Sequence, residues 1–376
     1  MKKLFIITGE YSGQMHATRV VRELKKMNSD IQIEGIGGEE LEAEGVKLFA
    51  NHSKMSAMGL TPQIIINHLK LGKNLVDYLL NDYKPDAVLL IDYGVFNLKI
   101  AKHIRGKGIK VFYYIPPQVW ASRKYRIKKI KKYVDKVFCI FPFEKQMYDT
   151  YSIDNTYVGH PLVKQLPEKA NREEFFAKHG LDVNKKLVSV FPGSRVFELK
   201  FLANLFIKTA KYLKNKHPEL QFCISHAPNL KDDVFDKYLK DTDFKVIKGE
   251  NQALLSVSDA LILASGTVAL EAALYQTPMI IAYKGPWFFY LVYLLVRCID
   301  KASLPNIITG KDIVPEFLQV GVTPSKIAYQ IERYLYDAEH RQKTINALAE
   351  VRECLTDKCS AFEVASELNK ELSKNA

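Results

Sequence analysis

The chain has few cysteines and no long hydrophobic run. Its five cysteines, in 376 residues, match neither a metal-ligand spacing nor a disulfide framework, which is typical of the reducing cytoplasm. The most apolar window, residues 285–300, holds an uncharged run of about a dozen residues, whereas a membrane-spanning helix needs about 20. The N-terminal apolar run is too short for a signal peptide and has no small-residue cleavage site. We therefore expect neither a secreted protein nor a membrane-spanning one.

Acidic residues are fewer than basic residues in this chain. The 54 lysines and arginines outnumber the 42 aspartates and glutamates, which gives a net charge of +12. This excess favours an anionic partner such as a nucleotide, a phosphate, an acidic membrane surface or a nucleic acid. Residues 122–136 hold eight of the basic side chains and predict a solvated or membrane-facing helix face. A nucleic-acid binder is suggested by charge alone, because no interleaved stacking aromatics and no known module accompany it.

Short apolar runs alternate with helix-like segments along most of the chain. This alternation predicts βαβ units and parallel sheets. A charged segment near 164–184, with Pro167, predicts a linker. We therefore expect an α/β fold of two doubly wound, Rossmann-like domains facing each other across a cleft, over residues 1–165 and 185–345, with the helices of 346–376 packing back on the first. The predicted strands are 3–8, 31–36, 86–92, 109–115 and 137–141, then 186–191, 220–225, 244–247, 260–264 and 279–283.

Chemically capable side chains fall where predicted strands end, which is where open α/β sheets bind ligands. Asp92 ends one strand, so its carboxylate is a candidate base, or alternatively a loop cap. Arg195 lies in the turn after another strand, where a guanidinium can donate two parallel hydrogen bonds to a diphosphate. The alternative for Arg195 is a helix-start residue paired with a nearby carboxylate. The first turn, residues 9–14, lacks the third glycine of the dinucleotide fingerprint, so a Rossmann cofactor is only weakly indicated.

Residues 259–283 carry the clearest nucleotide signal. Ser265, Gly266 and Thr267 form a turn between a strand and a helix, where hydroxyls can cap the helix and free N–H groups suit a diphosphate. Glu271 follows about one turn later, and its carboxylate can accept both hydroxyls of a ribose. The alternative is an ordinary cap and a surface charge. Prolines 116 and 117 stiffen another loop, so that Gln118 and Trp120 are expected to form a binding wall.

A series of motifs gives these residues a common context. In order they are GEYSGQMHA, AMG, IDYGVFNL, YYIPPQVWASRKYRI, FPFE, YVGHPL, FPGSRVFE, ASGTVALE, TPMIIAYK, SLPNII and VPEFLQ. Each motif is weak alone, but the ordered series over nearly the whole chain closely resembles the lipid-A-disaccharide synthase family of bacterial glycosyltransferases. The resemblance implies a GT-B fold and a UDP-sugar-dependent, inverting transfer without cofactor or metal. The implied donor is UDP-2,3-diacylglucosamine and the implied acceptor is 2,3-diacylglucosamine 1-phosphate (lipid X).

The resemblance also implies roles for individual residues. Asp92 corresponds to the family's acid/base candidate and Arg195 to its other essential group. Arg195 and the turn at Ser265–Thr267 would relieve charge on the leaving diphosphate, and Glu271 would hold the ribose. The remaining expected substrate contacts are Glu10, Ser12 and Gly13 on the acceptor side, Gln118, Trp120, Gly193 and Ser194 along the cleft, and Asn306 and Gln319 near nucleotide or sugar.

Acylated substrates imply work at a lipid surface, so the resemblance also implies peripheral association with the cytoplasmic face of the inner membrane. Candidate contacts are the apolar face of 64–80, the aromatic window 287–296 and the basic stretch 122–136. The first of these faces also fits an ordinary core-facing helix. A homo-oligomer remains open.

Several positions depart from the family pattern. Gln14 replaces an aspartate, and Gly94-Val95 replaces the usual Pro-Asp or Pro-Gly. Pro116 replaces a serine, and Ser122 replaces a tryptophan. Two alternatives therefore stay in view. A non-catalytic sugar-nucleotide or lipid-binding relative would bind UDP-sugar without turnover. Another GT-B glycosyltransferase, such as the one making the peptidoglycan lipid precursor, would lack the IDYGVFNL and SLPNII matches.

Overall fold

The structure, a computed structural model, describes residues 1–51, 62–319 and 321–374. Of residues 62–65, 289, 292, 293 and 296 it describes the backbone alone. The AMG motif at 57–59 lies outside the described residues, as do the side chains of Ile64 and Ile65. The chain forms two compact units, of which the first comprises residues 1–164 and the segment from Asp357 onward and the second comprises Gln165–Thr356.

The first unit is built on a seven-stranded parallel sheet in the order β3-β2-β1-β4-β5-β6-β7. Its central strands are apolar and buried, as expected for a parallel sheet covered by helices. The strand order reverses between β1 and β4, so the carboxyl ends of these two strands form a topological switch point where ligands usually bind. The strands are β1 (Lys3–Ile7), β2 (Gln32–Gly37), β3 (Lys47–Asn51), β4 (Ala87–Ile91), β5 (Lys110–Tyr114), β6 (Lys136–Cys139) and β7 (Asn155–Tyr157).

The helices of the first unit include the last helix of the chain, α17 (Ser360–Ser373), which packs along α1 (Tyr11–Met27). The buried Tyr114 hydroxyl donates to Ser360 Oγ at 3.1 Å, and Lys136 pairs with Glu367 at 2.6 Å. These contacts fix the C-terminal segment to the first sheet. The other helices are α2 (Glu39–Ala43), α3 (Pro62–Asp77) continuing into the π-helical Tyr78–Tyr83, α4 (Gly94–Ile104), α5 (Arg126–Tyr133), α6 (Pro142–Thr150) and α7 (Leu162–Gln165).

The second unit repeats the plan with a six-stranded parallel sheet in the order β10-β9-β8-β11-β12-β13. Its switch point lies between β8 and β11, where the order reverses. An apolar core that includes Val190, Phe206 and Ile262 packs on one face of this sheet. The strands are β8 (Leu187–Phe191), β9 (Gln221–His226), β10 (Lys245–Lys248), β11 (Ala260–Ala264), β12 (Met279–Tyr283) and β13 (Glu316–Leu318).

The second unit extends beyond the predicted 185–345. Arg172, before that range, donates to the Asp259 carboxylate at 2.9 Å, and the same Asp259 oxygen accepts from Leu187 N at 2.8 Å. Leu348 and Val351, after it, are fully buried.

The helices of the second unit are α8 (Arg172–His179), α9 (Val196–Lys216), α10 (Asp236–Leu239), α11 (Asn251–Val257), α12 (Thr267–Leu274), α13 (Trp287–Val296), α14 (Leu304–Thr309), α15 (Pro324–Tyr336) and α16 (Ala338–Cys354).

The predicted α/β class is confirmed, and each predicted strand is present within a residue or two of its expected bounds. The strands β3, β7 and β13 were not predicted. All three lie at sheet edges and are only partly buried, so they show no continuous apolar run. Asn306 lies in a short helix that begins at Leu304, with Pro305 in its first turn, a favourable position for proline.

Leu368→Ala should lower the free energy of unfolding of the first unit by about 2–5 kcal/mol, because Leu368 is fully buried and its truncation leaves a cavity. Ser366→Ala, on the exposed side of the same helix, is the matched control and should change it by less than about 0.5 kcal/mol. Denaturant unfolding followed by circular dichroism measures both. Equal stability of the two variants would contradict the docking of α17.

Candidate active site

The switch point of the first unit brings two carboxylates to one sheet edge. Glu10 follows β1 and Asp92 follows β4, and these strands are direct neighbours, with Ile7 paired to Leu90. Both side chains are exposed to solvent. The protein packed around Asp92 nevertheless raises the pKa of its carboxyl by desolvation; the Tyr93 N–H opposes this and the Glu10 charge adds to it. Asp92 is thus a reachable carboxylate with increased proton affinity.

The backbone at Asp92 is held in an uncommon conformation. Asp92 and Tyr93 have φ of 48° and 50°, the left-handed region that side chains other than glycine occupy at a cost of roughly 1–2 kcal/mol each. Two fully buried groups fix the turn: the Tyr113 hydroxyl donates to the Asp92 carbonyl at 2.7 Å, and Asn97 Nδ2 donates to the same oxygen at 2.8 Å. The buried hydrogen bonds therefore fix the backbone turn at Asp92 and the direction in which its Cα–Cβ bond leaves the chain.

Tyr93 connects the two carboxylate-bearing turns. Its ring lies on the backbone of Gly9, where a Cβ would come within 2.1 Å of Tyr93 Cγ, so this position requires glycine. The Tyr93 hydroxyl lies 2.5 Å from His68 Nε2 on α3. Burial, and then the charge of Glu10, raise the pKa of Tyr93 above its usual value.

A groove of about 750 Å³ opens beside these residues, between α3 and α4. Its volume is within the range of small-molecule sites. Glu10 and Asp92 lie on its lining, and so do apolar side chains of both helices. The apolar lining residues are Leu69 and Val76 from α3 and Val95, Phe96 and Ile100 from α4.

The switch point of the second unit carries Gly193, Ser194 and Arg195 at the start of α9. Gly193 has φ of +112°, and a Cβ there would lie 2.4 Å from Glu198 Oε2. That Glu198 oxygen accepts from the N–H groups of Ser194 and Arg195, and Glu198 Oε1 lies 3.2 Å from Arg195 Nη1. Arg195 is thus paired with a nearby carboxylate, as the alternative interpretation expected. Its side chain is nevertheless 79% exposed, so most of its five N–H donors can reach a ligand.

The turn Ser265–Thr267 enters α12 at the same sheet edge, because β11 neighbours β8. The expectation that its hydroxyls cap the helix is wrong for Ser265, which donates to the Ala302 carbonyl at 3.0 Å. Gly266, which has no side chain to cap the helix, occupies the cap position. Gly266 and Thr267 are both exposed, so the first N–H groups of α12 face solvent at the switch point.

Glu271 lies on α12, a turn beyond Thr267, and faces a separate cavity of about 500 Å³. Gln252 and Tyr275 line the same cavity. Burial raises the pKa of the Glu271 carboxyl, and the hydrogen bond with Gln252 partly opposes this. The carboxylate is half-buried, with neighbours able to share hydrogen bonds with a polyhydroxyl ligand.

Three predicted substrate contacts have internal roles instead. Asn306 is buried; its Nδ2 donates to the Val314 carbonyl and to Glu316, and its Oδ1 accepts from the N–H groups of Ile313 and Val314. Its hydrogen-bonding capacity is therefore occupied. Gln319, also buried, exchanges two hydrogen bonds with the backbone of Gly285, at 3.0 and 2.7 Å.

Trp120 is the third predicted substrate contact with an internal role. Its indole N–H donates to the buried Glu144 at 2.9 Å, and its ring packs edge-on against Phe141 and Phe143. It stabilises the loop from within and does not offer its N–H to a ligand. Glu144 also accepts from the N–H groups of Ile140 and Phe141, while burial raises its pKa to about 7. Gln118, in contrast, is exposed at the turn before Trp120.

The remaining predicted residues lie in α1. Ser12 is exposed in its first turn, next to Glu10. Gly13 is buried, and a Cβ at this position would lie 3.6 Å from Thr8 Cβ, an ordinary contact distance. The first unit thus assembles Glu10, Ser12 and Asp92 at one edge. Gln14 is buried and donates to Glu40, so the amide that replaces an aspartate pairs inside the unit.

Sequence reasoning missed His68, Tyr93, Asn97 and Tyr113. Tyr93 and Asn97 lie within the motif IDYGVFNL, so the motif could have indicated that they belong to the site. His68 and Tyr113 come from a helix and a neighbouring strand whose proximity only the fold reveals. Within the described parts of the chain, no group of three or more His, Cys, Asp or Glu residues is arranged to hold a metal ion. None of the helices described is long and apolar enough to cross a membrane.

Comparison with solved structures defines the class. The chain shares its fold with UDP-GlcNAc 2-epimerase from Neisseria meningitidis, at a TM-score of 0.66 and 16% identity over 98% of this chain and 100% of that one. It is similarly related to the glycotransferase of kitacinnamycin, at a TM-score of 0.64 and 12% identity over 98% of each chain. These likenesses show the GT-B fold, the two-sheet α/β architecture of many glycosyltransferases and related epimerases.

Sequence comparison identifies the family. The lipid-A-disaccharide synthetase family model matches residues 4–367. Lipid-A-disaccharide synthase 1 of Legionella pneumophila is 35% identical over 96% of this chain and 96% of its own length. Lipid-A-disaccharide synthase of Geobacter metallireducens is 36% identical over 94% of this chain and 93% of its own. The chain belongs to the lipid-A-disaccharide synthetase family and is therefore a glycosyltransferase.

Tyr113→Phe should lower kcat on the order of tenfold with little change in KM, because it removes one of two donors that aim Asp92 while leaving the binding surface intact. Tyr148→Phe is the matched control. That tyrosine is equally buried in the same core, and its hydroxyl has no hydrogen-bond partner in the described part of the chain. Steady-state kinetics of both variants measure the effect. Unchanged kcat in Tyr113→Phe would refute the positioning role.

Proposed function

We propose that this chain transfers 2,3-diacylglucosamine, with inversion, from its UDP derivative to the 6-hydroxyl of 2,3-diacylglucosamine 1-phosphate. The products are the β-1′,6-linked tetraacyl disaccharide 1-phosphate and UDP. Family membership supports the class of reaction. The observation that carries the mechanism is Asp92, an exposed carboxylate with raised pKa on the lining of an apolar groove, whose main-chain carbonyl accepts buried hydrogen bonds.

Asp92 is the proposed general base. Inversion in a single displacement requires the acceptor oxygen to attack the anomeric carbon from the face opposite the leaving group. The bond from the acceptor O6 to the anomeric carbon forms while the bond to the UDP β-phosphate oxygen breaks. The hydroxyl proton passes to the Asp92 carboxylate, whose raised pKa increases its proton affinity at the moment of attack. Glu10 and Ser12, beside it, are proposed contacts to the acceptor.

The second unit is proposed to bind the donor. The leaving diphosphate needs positive charge and N–H donors, which exposed Arg195 and the uncapped start of α12 provide. Gly193 and Ser194 let the α9 turn approach the phosphates. Glu271 is proposed to accept the ribose hydroxyls. Gln118, exposed in the first unit, is a further proposed substrate contact.

Substrate acyl chains make contact with a lipid surface part of the proposal. Helix α13 exposes a band of large apolar side chains, with Trp287 59%, Phe288 71% and Leu295 85% exposed. Helix α5 buries Ile127 and Ile130 and directs its lysines outward. Exposed aromatic and basic side chains suit an acidic membrane interface. We propose that the enzyme works peripherally at the cytoplasmic face of the inner membrane.

Asp92→Asn should reduce kcat about 10²–10⁴-fold, because the amide keeps the shape of the carboxylate but cannot take the proton. UDP binding, measured by calorimetry, should stay near wild type. Asp82→Asn, at an exposed aspartate outside the groove, serves as the matched control and should be fully active. Disaccharide formation from the two purified lipid substrates is the assay. Wild-type turnover in Asp92→Asn would exclude the proposed base.

Glu10→Gln should move the acid limb of the kcat/KM profile to lower pH. The base must be ionised to act, so the rate falls as pH drops through the pKa of Asp92, which is raised first by burial and further by the Glu10 charge. Removing that charge lowers the pKa and extends activity to more acidic solution. Profiles are recorded after confirming that each protein regains full activity on return to neutral pH. An acid limb that stays at the same pH, or moves to higher pH, would contradict the electrostatic coupling between Glu10 and Asp92.

A further inference from the structure

We propose that the groove between α3 and α4 binds one acyl chain of the acceptor, and that Gly72 sets the chain length it admits. This inference rests on the proposed function and adds a residue that determines specificity. The groove runs beside α4 from Asp92 to His103, roughly 15 Å at the 1.5 Å rise of a helix. It is thus an elongated space that begins at the proposed base.

The groove belongs to the first unit, which is the proposed acceptor side. Asp92 must contact the hydroxyl of the acceptor to take its proton, and Glu10 is a proposed acceptor contact; both lie on the groove lining. The groove is therefore assigned to an acceptor chain. The donor sugar also approaches this hydroxyl during transfer, so the chain lengths of both substrates are varied in the test.

The chemistry of the walls suits a hydrocarbon chain. Phe96 and Ile100 of α4 form one wall and are almost fully buried from solvent. Leu69 and Val76 of α3 form the opposite wall. Lys73, Asp77 and Lys99, which are charged residues of the two helices on the groove lining, are exposed, so they contact solvent at the rim. Burial of methylene groups between such walls is the main source of binding free energy for an acyl chain.

Gly72 is the one lining residue of α3 without a side chain. A Cβ at Gly72 would lie 3.5 Å from Phe96 Cε2 and 3.8 Å from Ile100 Cδ1, which is ordinary contact distance, so α3 and α4 approach each other closely at this point. An alanine therefore fits, whereas a longer side chain has no room against Phe96 and Ile100 and must extend into the groove beside them. Glycine, an unfavourable residue inside a helix, thus permits the close approach and leaves the adjoining groove open.

The test compares acceptors that differ only in acyl length, presented in mixed detergent micelles, with the donor held constant. Gly72→Leu should lower kcat/KM for the longest acceptor on the order of a hundredfold, since each methylene excluded from apolar contact loses about fourfold. For the shortest acceptor the loss should not exceed about the fourfold of one methylene. Gly72→Ala should give a smaller shift in the same direction and keeps the test valid if the leucine variant folds poorly.

Asn74→Leu is the matched control, because it adds the same side chain to the same helix at an exposed position outside the groove lining. It should leave the length preference of the wild type unchanged. A second series varies the donor chains against a constant acceptor, and Gly72→Leu should not alter that preference.

Each outcome decides the question. An equal loss with all acceptors, or a shift that follows the donor chains, would overturn the assignment of the groove while leaving the disaccharide activity of the wild type standing. Failure of the wild type to form disaccharide with any acceptor would instead refute the proposed function. A preference that shifts to shorter acceptors in Gly72→Leu and Gly72→Ala, but not in Asn74→Leu, supports the inference.

Discussion

The Asp92 carbonyl accepts hydrogen bonds from two fully buried groups, the Tyr113 hydroxyl and the Asn97 amide. These bonds hold two consecutive residues in the left-handed region, where neither would remain without support. The same turn places Tyr93 on the backbone of Gly9, so the loops after β1 and β4 are fixed to each other. The hydrogen-bonded turn at Asp92 and Tyr93 thus brings together the carboxylates of Asp92 and Glu10, the phenol of Tyr93 and the groove beside them.

The second unit applies the same principle with different chemistry. There the Glu198 carboxylate accepts two backbone N–H groups of the turn after β8, and Gly193 leaves room for it. The exposed guanidinium of Arg195 is the result. Parallel sheets gather such turns at their switch points because the strand order reverses there. The chain thus carries an anionic and a cationic candidate site, one in each unit.

Much of this arrangement could be predicted from the sequence. Buried parallel strands are continuous apolar runs, and the turn after each run lies at the edge where ligands usually bind. Asp92 directly follows β4, and Arg195 lies in the turn after β8. The internal roles of Asn306, Gln319 and Trp120 could not be predicted, because a polar side chain in a motif looks the same whether it binds a substrate or a backbone amide. Gly193 was predicted as a site residue from its motif. The physical reason for a glycine there is the close approach of Glu198, a contact that sequence spacing does not reveal.

Tyr113 illustrates a second limit. Its hydroxyl reaches Asp92 from the adjacent strand β5, twenty-odd residues along the chain, so no local pattern connects the two. Edge strands such as β3 and β13 were missed for a related reason, since their partial burial removes the apolar signal. Local sequence thus indicated the candidate reactive groups, while the groups that contact their backbone follow from tertiary structure.

The central claim is that a carboxylate held by the first unit and a cationic turn held by the second join two acylated sugars with inversion. It is tested most directly by incubating the purified protein with UDP-2,3-diacylglucosamine and 2,3-diacylglucosamine 1-phosphate and determining the product linkage by nuclear magnetic resonance. The account predicts a β-1′,6-linked disaccharide and one UDP released for each linkage formed. An α-linked disaccharide, or UDP release or donor epimerisation without any disaccharide, would contradict it.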